Sequence, residues 1–363
     1  GGKGIQWKVN VPLPGMSSPV VWGNRVFLTG GVEAKREVYC FDIGTGTLLW
    51  RVGVDAAPGK TNRVPAVNSD TGYAASTVVA DGRNVYAIFA NGDFAAIDFC
   101  ARPLWAINLG MPENRYGYSA SLALAGNRVI IQFDQDSEKG KVSELLAFDT
   151  ATGIKAWSVK RPVADSWPTP LVISTRTGRQ IVTVANDWII GYDTAGAGLW
   201  KVSCGGSDVA ASPIFAGGLV IAAIASEKLH AIRPDGRGDV TETHQPWKSD
   251  DGVSDVPSPV SDGVLAYFIH SGGALSCIEL ATGKLICDKK LDGEFYASPV
   301  LAGSTLYFTA RSGEVFILKA GRKYEEVGRM SLGEPSDCSP ALADGRMIFR
   351  GATSLVCVGR INE

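Results

Sequence analysis

Cys40-Phe41-Asp42-Ile43-Gly44-Thr45-Gly46-Thr47-Leu48-Leu49-Trp50 is the stretch that decides the fold. A small residue and an aromatic close one apolar strand, Asp42 to Gly46 are turn formers, and Leu48 to Trp50 open the next strand. The chemistry is that of a tight β-hairpin. The carboxylate accepts backbone N–H groups of the turn, the Thr hydroxyl adds a further bond, and glycine takes the positive φ that other residues resist. The indole at the end is a large apolar body with one N–H, suited to closing a strand against a neighbouring sheet. Burying such a ring contributes roughly 2–3 kcal/mol.

The same order of residues recurs. It runs from Ala147-Phe148-Asp149 through Thr152-Gly153 to Trp157, from Gly191-Tyr192-Asp193 through Gly196 to Trp200, and from Cys277-Ile278-Glu279 through Thr282-Gly283 to Cys287. Between these turns, a hydroxyl residue opens an apolar strand at Ser18, Ser76, Ser121, Thr169, Ser212, Ser258, Ser298 and Ser339, at intervals of 58, 45, 48, 43, 46, 40 and 41 residues. That period holds four short strands with their turns and is the mark of a radial repeat. One unit reads clearly: Ser298 to Ala302, Thr305 to Phe308, Glu314 to Leu318, then a fourth strand. Helix signals are nearly absent, while 43 Gly and 18 Pro punctuate the alternations.

The expected fold is therefore all-β: a single eight-bladed β-propeller of four-stranded antiparallel blades spanning residues 1–363. The last repeat, from Ser339 to Gly359, has only three strands, and the missing fourth, with its Trp, stands at Ile5-Gln6-Trp7-Lys8-Val9. The N-terminal strand should pair into the last blade, a closure that hides edges otherwise prone to aggregation. Blades six and seven have lost the Trp, at Cys287 and at Val327-Gly328. Two blades carry long insertions, where function is commonly placed. One runs from Val54 to Tyr73 and includes Pro58, Gly59, Lys60, Asn62, Arg63 and Pro65. The other runs from Arg237 to Gln245 before Trp247.

Small-x-Asp-x-x-Thr-Gly-x-x-x-Trp resembles the tryptophan-docking repeat of the pyrroloquinoline-quinone (PQQ) propeller family. That family includes quinoprotein alcohol dehydrogenases and the assembly lipoprotein of the outer-membrane Bam complex. The C-terminal third, from residues 231–240 to Ser298-Pro299, is also similar to bacterial PQQ-binding-like repeat proteins. The resemblance covers essentially the whole chain and implies either a quinoprotein dehydrogenase or a non-catalytic scaffold. The dehydrogenases use a stacking Trp, calcium held by carboxylate and amide side chains, a catalytic Asp and typically a vicinal disulfide. Trp167 and Asp165 imitate part of that set, but the chain has no Cys-Cys pair and no evident calcium ligands. No cofactor is expected, PQQ with calcium being the alternative.

Composition narrows the partners. Lys+Arg 35 against Asp+Glu 37 lacks the basic excess of a nucleic-acid surface, and no apolar run is long enough for a membrane helix. The opening Gly1-Gly2-Lys3-Gly4 shows no leader. The expectation is a periplasmic, envelope or secreted chain whose signal has been removed, a monomer with a protein or peptide partner. The seven cysteines have no zinc spacing. Cys40, Cys277 and Cys357 fill the small core slot that holds Ala147 and Gly191 elsewhere, Cys338 precedes a strand-opening Ser, and Cys100 and Cys204 read as loop residues. The three histidines, His230, His244 and His270, form no metal or triad pattern, so neither a catalytic nor a metal residue is assigned.

What does not repeat is more informative. The connections into the innermost strands converge on one mouth of the central channel, carrying Tyr73, Arg115, Tyr116, Tyr118, Asp165, Trp167, Asp208, Asp255, Tyr296 and Asp337. Turns between second and third strands reach the same face with Asp187, His270, Arg311 and Arg350. These residues are the expected binding surface for a partner or a small polar ligand. The leading expectation is a non-catalytic, partner-binding scaffold of the cell envelope. The alternatives are a PQQ/calcium-dependent dehydrogenase-like protein and a small-ligand sensor.

Overall fold

A computed structural model describes residues 4–54, 64, 65, 67–137, 140–206 and 208–359. The strands assemble into eight four-stranded antiparallel blades arranged in a ring, a β-propeller, with no helix among the described residues. Blade one is Val20–Trp22, Arg25–Val32, Lys35–Asp42 and Leu48–Gly53. The last blade is Ala341–Ala343, Arg346–Arg350, Ser354–Gly359 and, from the other end of the chain, Ile5–Asn10. Val9 pairs with Leu355 and Trp7 with Cys357, so the ring closes as the sequence implies.

Burial follows position in the blade. The second and third strands of blade one are buried almost throughout, whereas its fourth strand alternates. Middle strands are sandwiched between two neighbouring blades and need apolar side chains on both faces. Outer strands meet a neighbour on only part of their surface.

The turn signature explains how blades join. Asp42 Oδ1 accepts from Gly44 N at 3.0 Å, Thr45 N at 2.9 Å and Thr45 Oγ1 at 2.9 Å. Asp149 repeats the arrangement with Ala151 and Thr152. The turn then receives the indole of the preceding blade. Trp7 Nε1 donates to Ile43 O, Trp50 to Phe99 O, Trp105 to Thr150 O, Trp157 to Thr194 O and Trp247 to Leu280 O, at 2.8–3.2 Å. In each case the acceptor is the residue just after the turn's acidic position. The ring lies against the turn glycine: a Cβ on Gly153 (φ +68°) would sit 2.6 Å from Trp105. Gly153→Ala adds that clash to a left-handed backbone, and the expected loss is at least about 1 kcal/mol. Equilibrium denaturation checks it, and an unchanged midpoint would refute the contact.

Three expectations need correction. The strand-opening hydroxyl of blade two is Thr77, not Ser76. Ser18 N donates to Thr77 Oγ1 at 2.9 Å and Thr77 N to Ser121 Oγ at 3.0 Å, while Ser76 is buried one place earlier. Cys204 is not in a loop. It lies buried in Gly198–Gly205 with Sγ 3.5 Å from Ala185 O. Trp200 breaks the docking pattern by turning over Gly191 of its own blade, where a Cβ would be 2.2 Å from the indole. It donates to Gln180 Oε1, and Gln180 Nε2 donates on to Pro234 O, the carbonyl that a direct dock would have used. The insertion after Pro234 fills the remaining edge: Gly238–Asp239 runs parallel to Gly198–Gly205 as a fifth strand. Of the other insertion, Pro58, Gly59, Lys60, Asn62 and Arg63 lie outside the described residues.

Candidate functional site at the channel mouth

The channel is built in two tiers by strand alternation. The lower tier is the eight opening hydroxyls. Each backbone N–H of this set donates to the hydroxyl oxygen of the next blade, from Ser18 to Thr77 and onward until Ser339 N returns to Ser18 Oγ at 3.0 Å. Residues two places earlier point the same way. They form the upper tier: Met16, Ala75, Ser119, Trp167, Ala210, Val256, Tyr296 and Asp337. Together with Asp70, Thr71, Arg115, Tyr116 and Asp208 they bound a cavity of about 440 Å³.

Two clusters shape the mouth. In the first, the Arg115 guanidinium lies 5.0 Å from the Tyr116 ring centre and 5.2 Å from that of Trp167. The two rings meet edge to face at 4.9 Å. Asn114 Oδ1 accepts the Trp167 indole N–H at 3.0 Å, which orients that ring, and the Tyr116 backbone N–H at 3.0 Å, which ties the two residues together. Arg115 also pairs with Asp208. Both side chains are more than half exposed, 54% and 64%. Such a pair contributes little to stability and is free to exchange partners.

In the second cluster Arg311 lies 3.9 Å from the Tyr296 ring centre. It donates through Nε and Nη2 to Asp337 at 2.9 and 3.1 Å, and through Nη2 to Asp70 at 2.9 Å. Burial opposes the charge on Arg311, but the bonds to Asp337 and Asp70 prevail and hold its pKa up. Burial, and then the Asp70 charge, push the Tyr296 phenol up. Asp165 faces the first cluster. Burial raises its pKa, with Asp136 and Asp208 acting in the same direction against Arg115.

Other sequence-selected residues lie elsewhere. Tyr118 is not at the mouth: it is buried, stacked on Phe133 at 5.7 Å. Arg350 is also buried, donating to Ser17 O at 3.0 Å and Ser17 Oγ at 2.6 Å. Asp255 serves a turn. Burial opposes its charge, yet the Ser271 hydroxyl and backbone N–H bonds hold its pKa down, with His270 3.5 Å away. Asp187 opens a strand at φ +73°, opposite Gly205. Tyr73 packs its Cβ beside Gly31, away from the cavity lining. Sequence reading missed Asp70, Thr71 and the hydroxyl ring as channel lining, and Asn114 as the acceptor behind the first cluster. The two-residue alternation from each opening hydroxyl was the signal that would have found the upper tier.

The model of the family described as outer membrane protein assembly factor BamB matches residues 2–131 and 74–323. The chain belongs to that family. Its repeats are of the PQQ-like β-propeller type. No functionally curated protein matches the chain. Solved structures share the fold at low identity. BamB from Moraxella catarrhalis is 14% identical, with TM-score 0.71 over 98% of this chain and 99% of that one. Quinohemoprotein alcohol dehydrogenase from Comamonas testosteroni is 12% identical, with TM-score 0.73 over 99% of this chain and 77% of that one. The computationally designed Ika8 protein is 13% identical, with TM-score 0.69 over 98% of this chain and all of that one. A fold shared by an assembly factor, an oxidoreductase and a designed protein does not itself choose a function.

Proposed function

We propose that this chain is a non-catalytic scaffold of the cell envelope that binds an extended segment of a protein partner across its channel mouth. The observation that carries the reading is the Arg115–Tyr116–Trp167 cluster, aromatic faces and an exchangeable arginine held in a fixed orientation by Asn114. Aromatics and arginine are the residue types on which interface energy concentrates. The family description, an assembly factor for outer membrane proteins, supports a protein partner and an envelope location. Among the charged residues lining the cavity, Asp70, Asp208 and Asp337 outnumber Arg115, which favours a partner segment carrying basic residues.

The donor chemistry does not favour a calcium-held quinone. The face of Trp167 meets Arg115, Asp70 and Asp337 both pair with Arg311, and Asp208 pairs with Arg115. Among the described residues no group of three His, Cys, Asp or Glu side chains is placed to hold a metal ion.

A photo-cross-linking residue tests the proposal when placed at Tyr116 or Trp167, with the exposed Leu49 on the outer strand of blade one as control, in envelope extract of the native host. A discrete protein adduct is expected at the mouth positions, weakened by salt, and none at Leu49. Equal adducts at Leu49, or a thermal-stability gain on adding PQQ with calcium, would overturn it.

A further inference from the structure

Blade six lacks the indole that joins most blades to the next, and the residue in its place is Cys287. Its register partner on the third strand is Cys277, as Cys40 is the partner of Trp50 in blade one. Two cysteines therefore stand directly opposite one another on adjacent antiparallel strands, on the same face of the sheet. Directly opposed residues in such a ladder have Cα atoms about 4.5–5.5 Å apart. A disulfide requires roughly 4.4–6.8 Å. The other five cysteines have no such opposite number: Cys40 and Cys357 face Trp50 and Trp7, and Cys100, Cys204 and Cys338 lie in other parts of the ring.

The two thiols differ in access. Cys277 is fully buried, with Sγ 3.7 Å from Gly321 O, and Cys287 is half-buried at a shallow cleft with Tyr324 and Lys323 on its rim. The Cys277 S–H is directed at Gly321 O. The interaction between the two opposed thiols lowers the Cys287 pKa and raises that of Cys277. A reachable sulfur with thiolate character beside a buried one is the arrangement of an attacking and a resolving cysteine.

We propose that Cys277 and Cys287 are a redox modification site that forms a reversible cross-strand disulfide by exchange with a small disulfide of the glutathione class. Cys287 loses its proton and its sulfur attacks one sulfur of the oxidant. The oxidant's S–S bond breaks, and the first thiolate leaves and takes up that proton. Cys277 then loses its proton and attacks Cys287 Sγ. The mixed S–S bond breaks, and the second thiolate leaves with the second proton. Two protein thiols are oxidised to one disulfide, and one small disulfide is reduced to two thiols. The product ties the third and fourth strands of blade six at the level where other blades carry an indole.

The whole chain, freed of reductant, is incubated with oxidised glutathione, blocked with an alkylating reagent under denaturing conditions, digested and mapped by mass. The expected product is one linked species joining the Cys277 and Cys287 peptides, two hydrogens lighter than the separate peptides. It should disappear on reduction and be accompanied by a higher thermal midpoint of the oxidised protein. In Cys277→Ser the resolving step is lost, and a glutathione adduct should accumulate at Cys287. A fully alkylated Cys277–Cys287 pair in oxidised wild-type protein would overturn the proposal, as would linkage of either cysteine to another. The wild-type map stands even if the variant fails to fold.

Discussion

Arg161→Met should cost about 3–5 kcal/mol of folding free energy, the range for removing one partner of a buried ion pair. Both the Arg161 and Asp134 side chains are 0% exposed, with Arg161 Nε 2.8 Å from Asp134 Oδ1 and Nη2 3.0 Å from Oδ2. Ser166 Oγ and Gln132 Nε2 also donate to Oδ2, at 2.6 and 2.8 Å, and Gln132 reaches Val184 O of blade four at 2.9 Å. The network therefore spans two blades. Burial already raises the Asp134 pKa, with the Arg161 charge opposing the rise. Without the arginine an uncompensated carboxylate remains, or it takes up a proton. A group whose folded pKa is raised contributes stability at low pH that is lost as pH rises through the folded value. The variant should accordingly recover part of its stability on mild acidification. Asp134→Leu combined with Arg161→Met should lose less than Arg161→Met alone, since no buried charge is stranded. Urea denaturation of the three proteins decides the matter. A single-variant loss under about 1 kcal/mol, or a double variant no better than the single, would sink this account.

The ring closure supplies the second large effect. Glu334 Oε2 accepts from Thr353 N and Thr353 Oγ1 at 2.8 Å, Oε1 pairs with Lys8 Nζ at 3.0 Å, and Ser354 Oγ donates to the same carboxylate. It thus holds the N-terminal strand to the last blade, with its side chain packed over Gly351, where a Cβ would lie 2.4 Å from Glu334 Cδ. Burial alone would raise its pKa, but the Ser354 and Thr353 bonds and Lys8 prevail and bring it from 4.5 to about 2. A depressed carboxylate contributes stability above its unfolded pKa, and that contribution is lost as pH falls through the folded value. The window is therefore from about pH 4.5 down to about 2. At ~1.4 kcal/mol per unit the full shift corresponds to roughly 3 kcal/mol. Lys8 is 41% exposed, and solvent screening reduces the expected figure to about 1–2 kcal/mol. Glu334→Gln should lose that amount at neutral pH and flatten the acid limb of the stability curve. An acid limb identical to wild type would disprove the assignment.

The blade count, the pairing of Ile5–Asn10 into the last blade and the small core slots were legible because they repeat, and each repeat is a local consequence of strand period and turn chemistry. Errors came where a local rule had two solutions. Ser76 and Thr77 are both hydroxyl residues, and only the inter-blade bond from Ser18 tells them apart. Trp200 matches the repeat, yet the insertion after Pro234 supplies a different neighbour and the indole turns inward. The mouth was legible only in part. Arg311 and Asp70 are 241 residues apart, so their pairing exists only once the ring has closed. Tyr118 was misplaced because a connection alternates between channel and core, and aromatic character does not say which side it takes.

The hydroxyl tier has an electrostatic consequence. Its eight N–H···O bonds all run in one rotational sense about the channel. Their dipoles lie along the circumference and cancel around the circle, leaving no net dipole across or along the axis. A helix terminus presents a partial charge to whatever approaches it, but a closed ring of such bonds has no terminus. Discrimination of charge at the opening rests on side chains alone, above all Arg115, Asp208, Arg311, Asp70 and Asp337. One charge-reversing substitution among them therefore shifts the charge that the opening presents by two units while leaving the ring beneath it intact.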